Sequence, residues 1–216
     1  MGACARALTC VAAAWLAGSA FGQQAGQLEA ARLEVLELQP VQAGETALTL
    51  HAVYFFGGGW ERATLEDALR QGAMILAQCG VRIVRVHLAL VDAPRRYHYY
   101  FTPVSREFAR MAAFPRPTVY FVRDTLNRPA FDAEAIGRGN SRSRPELTNT
   151  VWMALGVRDP GIALAHEITH LLMDSGEHLD LPGNLMRAET SPENTRLEPA
   201  QCERIVRAGR KGGLLQ

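Results

Sequence analysis

The sequence predicts a single α+β domain, in which a sheet of short strands is covered by helices. Five segments have the alternation, or the β-branched and aromatic content, of strands, and three have the apolar spacing of helices. The chain has 216 residues, of which 48% are hydrophobic, so it is long enough to form one hydrophobic core. No internal repeat divides it into smaller units.

The first half of the chain contains three predicted strands and one predicted helix. The strands are residues 33–38, residues 47–56 and Val81–Val91. Between the second and third strands, Thr64 is expected to cap a helix with Asp67 at its third position. Gly80 is expected to end that helix, because glycine adopts the backbone conformation that stops a helix.

The second half contains a short helix, two strands and a long helix. Residues 103–113 could form the short helix, and compact apolar runs predict strands at Thr118–Val122 and at residues 151–155. The long helix begins at Pro160 and is apolar on nearly all sides, which predicts that it is buried. Residues 126–148 are rich in Arg, Asn, Gly and Pro and are expected to form a long loop, functional or mobile.

The first 22 residues are predicted to be a signal peptide, and residues 23–216 are predicted to be the mature domain. Arg6 provides a positive charge, residues 7–17 are apolar, and residues 18–22 offer small side chains for cleavage. The alternative is a membrane anchor, but the apolar run is shorter than the roughly 20 residues that span a bilayer. Export would give a secreted or periplasmic protein with no membrane attachment after cleavage.

Removal of that segment would leave Cys79 and Cys202 as the only cysteines of the mature domain. A disulfide between them is expected, because cysteine pairs are usually oxidised in exported proteins. Two buried free thiols are the alternative, because the sequence does not give the distance between the two Cα atoms.

The charges of the chain nearly balance, with 23 Lys and Arg against 22 Asp and Glu, for a net charge of +1. No run of basic residues is long enough to follow a phosphate backbone. Nucleic acid is therefore not an expected partner.

The long apolar helix contains the sequence His166-Glu167-Ile168-Thr169-His170, an H-E-x-x-H motif. Residues four apart share one helical face, so His166 and His170 could bind one zinc ion at roughly 2.0 to 2.1 Å. Glu167 is offset by one position, where its carboxylate could take a proton from a water at the open position of the metal. A chance match with two ordinary histidines is the alternative, but buried imidazoles need a strong partner, which zinc would supply.

A catalytic zinc site usually has three protein ligands, so a third donor is expected near the motif. His178 is the leading candidate, because Gly176 could end the helix in the left-handed conformation and turn the chain back. Nearby carboxylates are alternatives, and each could instead be solvated at the helix end or in a loop. They are Asp174, Glu177, Asp180 and Glu189.

With its H-E-x-x-H motif, a following glycine and a third histidine, the sequence resembles the metzincin group of zinc metallopeptidases. The segment Asn184-Leu185-Met186 is similar to the methionine turn of that group, in which Met186 would form an apolar floor beneath the metal. Gly176 and His178 lie further along the chain from His170 than their counterparts in the group. The resemblance covers residues 61–186 and implies a zincin-like fold, a mixed twisted sheet with a backing helix and an active-site helix.

The resemblance implies a secreted zinc-dependent metalloendopeptidase, a hydrolase that cleaves a peptide or protein substrate. His166, His170 and His178 would hold Zn²⁺, and Glu167 would be the general base. An extended substrate would pair with an edge of the sheet, and Thr118–Val122 is the strand predicted to form that edge. Several side chains are available to stabilise the transition state. They are Tyr97, Tyr99, Tyr100, Arg138 and Arg142.

Two other classes of protein stay open at this point. One is a catalytically inactive zincin-fold protein that binds a metal or a partner, and the other is a non-enzymatic domain with structural histidines. Replacing Glu167 by Gln separates an enzyme from an inactive binding protein, because only the enzyme would lose an activity. Metal analysis tests the non-enzymatic domain, because a zinc content that falls when His166 or His170 is replaced by Ala would leave structural histidines without support.

Overall fold

The computed structural model describes residues 30–126, 136–138 and 145–216, without the side chains of residues 30, 31 and 136–138. The predicted signal peptide at residues 1–22 and part of the predicted loop at residues 126–148 lie outside these ranges. Within the described ranges, no helix is both long enough and apolar enough to cross a bilayer.

The described residues form eight strands, numbered here along the chain. They are β1 (Ala30–Glu37), β2 (Thr46–Phe55), β3 (Val81–Val91), β4 (Tyr99–Tyr100), β5 (Thr118–Val122), β6 (Asp124–Thr125), β7 (Ile136–Arg138) and β8 (Thr150–Ala154). Six of them form one sheet in the order β1-β3-β2-β5-β8-β7, and β4 pairs with β6 separately. The four inner strands are parallel, whereas β1 and β7 are antiparallel to their neighbours. The sheet is therefore mixed, as predicted.

The same part of the chain forms four α-helices. They are α1 (Arg62–Leu76), α2 (Thr102–Ala112), α3 (Pro160–Met173) and α4 (Pro199–Lys211). α1 provides the crossover that two neighbouring parallel strands, β2 and β3, require. α1 and α3 pack against each other over one face of the sheet, and α4 packs on α3.

Side chains of the inner strands alternate between two hydrophobic clusters, one on each face of the sheet. Leu50 and Val119 belong to the cluster that includes α3, which we call the α3 cluster. Val53 and Tyr120, from the same two strands, belong to the cluster that includes α2, which we call the α2 cluster. The inner strands are thus covered on both faces, which explains their high content of apolar residues.

The predicted elements that have observed counterparts mostly agree within a few residues, and Val81–Val91 agrees at both ends. The start of α1 differs from the prediction, because its N-cap is Glu61 and Thr64 lies inside the first turn. Trp60 gives the physical reason: its indole N–H donates to the carbonyl of Val122 at 2.8 Å and fixes the chain just before the helix. Gly80, with a φ of 68°, ends this helical region as predicted.

The prediction that Thr118–Val122 lies at a sheet edge is wrong. This strand, β5, lies between β2 and β8 and is parallel to both, and all of its residues are buried. β7 lies at that end of the sheet instead. A short continuous apolar run is typical of an interior parallel strand, because both faces of such a strand are covered. A substrate could pair with β5 only by displacing a neighbouring strand.

Helix α4 has no counterpart among the predicted elements. Its start is marked by a capping box between Glu198 and Gln201 and by Pro199 at the first helical position. A disulfide joins Cys202 of α4 to Cys79, just after α1, with the two Cα atoms 4.8 Å apart. The expected disulfide is therefore confirmed, and it ties α4 to the region where α1 ends.

Candidate metal centre

Helix α3, which contains the H-E-x-x-H motif, is buried in the α3 cluster. Its residues from Gly161 to Met173 are all buried, because the helix packs against the sheet, α1 and α4. α1 approaches α3 closely at Gly72, where a Cβ atom would lie 3.4 Å from the carbonyl oxygen of Gly161. His166 and His170, one turn apart, are only 4% and 7% exposed.

The chain turns back immediately after α3. The prediction that Gly176 takes the left-handed conformation is wrong, because Asp174 does so with φ 50° and ψ 45°. Asp tolerates this conformation better than most residues, because its short polar side chain can hydrogen-bond locally. The turn brings His178 back to the helix, and His178 Nε2 lies 3.2 Å from His170 Nε2.

The three histidines surround one point at the end of α3. A ring nitrogen of each of His166, His170 and His178 lies within 4.8 Å of those of the other two. The ring centroids are 4.6, 4.9 and 5.3 Å apart. Two nitrogens on a tetrahedral ion, with bonds of roughly 2.0 to 2.1 Å, would be about 3.3 Å apart. The histidine triad is therefore arranged so that it could hold one metal ion.

Backbone carbonyls orient two of the three rings. His166 Nδ1 lies 2.7 Å from the carbonyl oxygen of Leu185, and His170 Nδ1 lies 2.7 Å from that of Ser175. A carbonyl oxygen can only accept a hydrogen bond, so each Nδ1 must carry the proton that it donates. In a neutral ring the lone pair is then on Nε2, the atom that is available to a metal.

Burial keeps these two rings in the form that binds metals. Burial lowers the pKa of His166 to about 4. The hydrogen bond to Leu185 has the opposite effect, but it is smaller. Burial also lowers the pKa of His170, against the opposing effect of its hydrogen bond to Ser175. Both imidazoles are therefore neutral near pH 7, with lone pairs that need no deprotonation before a metal binds.

Glu167 and Met186, the other two residues singled out in the sequence, are both buried. Glu167 is 7% exposed and lies in α3 directly after His166. Met186 is fully buried in the α3 cluster and follows Leu185, whose carbonyl orients His166. The backbone N–H of Met186 donates to the Asn184 side-chain oxygen at 2.9 Å.

The carboxylates that were alternatives to His178 do not join the triad. Within the described ranges, the group found to be arranged for a metal consists of the three histidines. Glu177 accepts a hydrogen bond from Arg204 at 2.7 Å, which contributes most to holding the pKa of Glu177 below its usual range. Asp180 pairs with Arg187. Asp174 is exposed at the helix end, and Glu189 lies in the following loop, where its carbonyl accepts a hydrogen bond from Asn194.

The structure does not bring Tyr97 or Tyr100 to the histidines. Both belong to the α2 cluster, on the face of the sheet opposite the α3 cluster, so neither is suited to act at this site. Tyr99 lies in β4, in the separate two-stranded sheet. Arg138 is in β7, and its side chain and the whole of Arg142 lie outside the described residues.

The groups that orient the rings of His166 and His170 could not be predicted from the sequence. The carbonyls of Leu185 and Ser175 carry no sequence signal, because every residue has a backbone carbonyl. The side-chain amides of Asn184, the residue before Leu185, and Gln201 bond to each other although they are 17 residues apart in sequence. The capping box that includes Gln201 is visible in the sequence and could have predicted α4.

Together, the fold and this site define an α/β protein with a mixed sheet and three histidines that could hold a metal ion. No known protein family and no curated protein sequence matches the chain. Among solved structures, it is similar to metalloproteinase-II from Bacteroides fragilis, with 17% sequence identity and a TM-score of 0.49. The similarity covers 81% of this chain and 57% of the chain of that protein. Similarity this distant assigns neither a family nor an activity.

Proposed function

We propose that this protein is an exported zinc-dependent metalloendopeptidase of the zincin type. The observation that supports the proposal is the convergence of His166, His170 and His178, with Glu167 in the same buried helix. Three protein ligands that leave one position open are the donor set of a catalytic zinc site. Neutral imidazoles suit zinc better than magnesium or calcium, which prefer oxygen ligands.

In this proposal, the three histidines hold the ion and Met186 forms the apolar floor beneath it. Bound zinc would polarise the substrate carbonyl and lower the pKa of a water molecule. Glu167 accepts a proton from the attacking water on its carboxylate and then donates that proton to the leaving amine. The burial of Glu167 limits competition from bulk water for these transfers.

The proposed substrate strand is β7, in place of β5. An extended peptide can add to a strand whose outer edge is unpaired. Among the described strands, β7 is paired with β8 alone, and it lies against α3. A peptide bound along β7 would therefore run beside the helix that carries Glu167.

The proposed location is outside the cytoplasm, either secreted or periplasmic. Residues 1–22 have the charge, apolar run and small residues of a signal peptide. The disulfide between Cys79 and Cys202 supports the same location, because such bonds persist mainly in oxidising compartments.

Zinc content and peptidase activity, measured on wild type and on Glu167→Gln, test the proposal. Wild type should hold one zinc ion per chain and hydrolyse an unfolded protein such as casein. Glu167→Gln should keep its zinc and lose activity by roughly 10²- to 10⁴-fold, because the general base is removed. Glu203→Gln, the same substitution at an exposed position of α4, is the matched control and should keep both properties.

Two results would contradict the proposal at different levels. Purified wild type that binds no zinc would leave the metal centre without support. Wild type that binds zinc but hydrolyses no unfolded protein would favour a catalytically inactive zincin-fold protein that binds a metal or a partner.

A further inference from the structure

A pair of side-chain amides connects the metal centre to α4. Asn184, which is 1% exposed, donates from Nδ2 to Gln201 Oε1 at 2.8 Å, and Gln201 Nε2 donates to Asn184 Oδ1 at 3.2 Å. Backbone donors fix both amide orientations, since Met186 N–H donates to Asn184 Oδ1 and Glu198 N–H donates to Gln201 Oε1. Each N–H needs an oxygen as acceptor, so neither amide can be reversed without loss of a bond.

The amide pair lies next to the carbonyl that orients His166. Asn184 directly precedes Leu185, and its side chain also binds the backbone N–H of Met186, the residue after Leu185. Leu185 therefore lies between Asn184 and Met186, and the Asn184 side chain is bonded to the backbone of Met186. These two residues fix the position of the Leu185 carbonyl. A shift of Asn184 would move the acceptor of the His166 Nδ1–H bond and rotate the ring.

Gln201 is itself held firmly in the first turn of α4. It completes the capping box with Glu198 at the start of the helix. The next residue, Cys202, is bonded to Cys79, and Ile205, one turn later, is fully buried in the α3 cluster. Gln201 therefore provides a fixed point against which the Asn184–Met186 segment is placed.

We infer that Gln201 is a positioning residue for the metal centre, which acts through Asn184 and Leu185 to hold the His166 ring. The inference rests on the proposed function, because it requires the histidine triad to bind a metal. Gln201 is not a ligand and does not touch the reacting atoms. Outer partners that orient a ligand typically change metal affinity by 10- to 100-fold when they are removed.

Zinc affinity, measured by competition with a chromophoric chelator, tests this role. Gln201→Leu should bind zinc roughly 10- to 100-fold more weakly than wild type, because leucine cannot pair with the buried Asn184 amide. Glu203→Leu introduces the same side chain at an exposed position of the same helix and should keep wild-type affinity. The visible spectrum of Co²⁺-substituted Gln201→Leu should also differ from that of wild type, because it reports ligand geometry.

A second variant separates positioning from simple stability and decides the question if Gln201→Leu does not fold. Gln201→Glu keeps the oxygen that accepts from Glu198 and Asn184, so the helix cap remains, but it cannot donate to Asn184 Oδ1. We expect the metal-free protein to stay folded, because the capping box remains, and the zinc affinity of the folded protein to fall several-fold, because the bond to Asn184 Oδ1 is lost. A purely structural role would lower the melting temperature of the metal-free protein and leave the affinity of the folded protein unchanged.

The outcomes distinguish this inference from the proposed function. Wild-type zinc affinity in folded Gln201→Leu, or in Gln201→Glu, would overturn the positioning role and leave the peptidase proposal intact. Weakened zinc binding in Gln201→Leu would support the positioning role even if wild type hydrolysed no peptide. If wild type bound no zinc, the metal centre and its positioning residue would both be overturned.

Discussion

His178 differs from the other two site histidines in how it is held. His166 and His170 are buried in α3 and bonded to carbonyls, whereas His178 is exposed in the loop after the helix. Its position depends on the turn at Asp174. Helical spacing alone therefore predicts that His166 and His170 lie together. The position of His178 depends on a turn, and the sequence predicts Gly176, not Asp174, as the left-handed residue of that turn.

If the triad binds zinc as proposed, replacement of His178 by Ala should lower zinc affinity by about 100-fold or more, because only two imidazoles would remain. Asp180→Ala is the matched control, since the Asp180 side chain is 91% exposed and pairs with Arg187. Chelator competition on both variants measures the difference. If Asp180→Ala lost zinc and His178→Ala kept it, the carboxylate and not the imidazole would be the third ligand.

His51 should make the fold sensitive to acid. It lies in β2 opposite His87 of β3, with stacked rings 4.6 Å apart, and burial, followed by the charge of His87, lowers the pKa of His51 to about 4. The ordinary value is 6.5, so the unfolded chain binds more protons between pH 6.5 and pH 4. The free energy of unfolding therefore falls as the pH falls through that window.

The variant His51→Leu removes this titration. Between pH 7 and pH 5 it should lose about 1 kcal/mol less stability than wild type, a figure reduced for the partial exposure of the ring. Urea unfolding at the two pH values measures the effect. Between pH 7.5 and 8.5, where His51 is neutral in both states, the two proteins should change alike. Equal acid sensitivity of the two proteins would contradict the lowered pKa of His51.

At the scale of whole elements, the end of α2 has a residue type that is unfavourable for its backbone conformation. Ala113, which caps the C-terminal end of α2, has a left-handed backbone with a φ of 46°. The Cβ atom of an alanine is sterically unfavourable in this conformation, and glycine has no Cβ atom. The position is therefore a site at which glycine should be better than the natural residue.

Ala113→Gly should raise the free energy of unfolding by about 0.5–1 kcal/mol, because it relieves the left-handed conformation. Ala112→Gly, one residue earlier and inside α2, is the matched control and should lower it by a similar amount. Urea denaturation of the two variants measures both changes. Destabilisation by both substitutions would contradict the assigned end of α2.

Long elements were predictable from the sequence, whereas short ones and their neighbours in the sheet were not. Val81–Val91 alternates over eleven residues, enough to define both ends. β7 has three residues, too few for a period to be visible, so the sequence predicts a loop in that part of the chain. Because β7 is not predicted, the predicted sheet has β5 at its edge, although the unbroken apolar run of β5 indicates an interior strand.

At the scale of the whole molecule, the disulfide joins two regions that are 123 residues apart in sequence. It connects the end of the α1 region to α4, and α4 packs on α3, the helix that carries His166 and His170. A bond that closes so long a loop restricts the unfolded chain strongly, which stabilises the folded state.

The double variant Cys79→Ser with Cys202→Ser should lower the free energy of unfolding by about 2–5 kcal/mol. Urea unfolding under non-reducing conditions measures the loss relative to wild type. Reduction of wild type with dithiothreitol should give a similar decrease, which controls for the serine substitutions themselves. A stability that responds neither to substitution nor to reduction would show that the bond is absent in solution.

The same disulfide determines what happens if the backbone is cut between α3 and α4. That segment includes the exposed residues Asp174 and Gly176, which a protease could reach. A single nick there would produce two polypeptides, but Cys202 would still be bonded to Cys79 in the larger fragment. The smaller fragment could not diffuse away, so a nicked molecule would stay one covalent species, heavier by one water, until a reductant separated the two pieces.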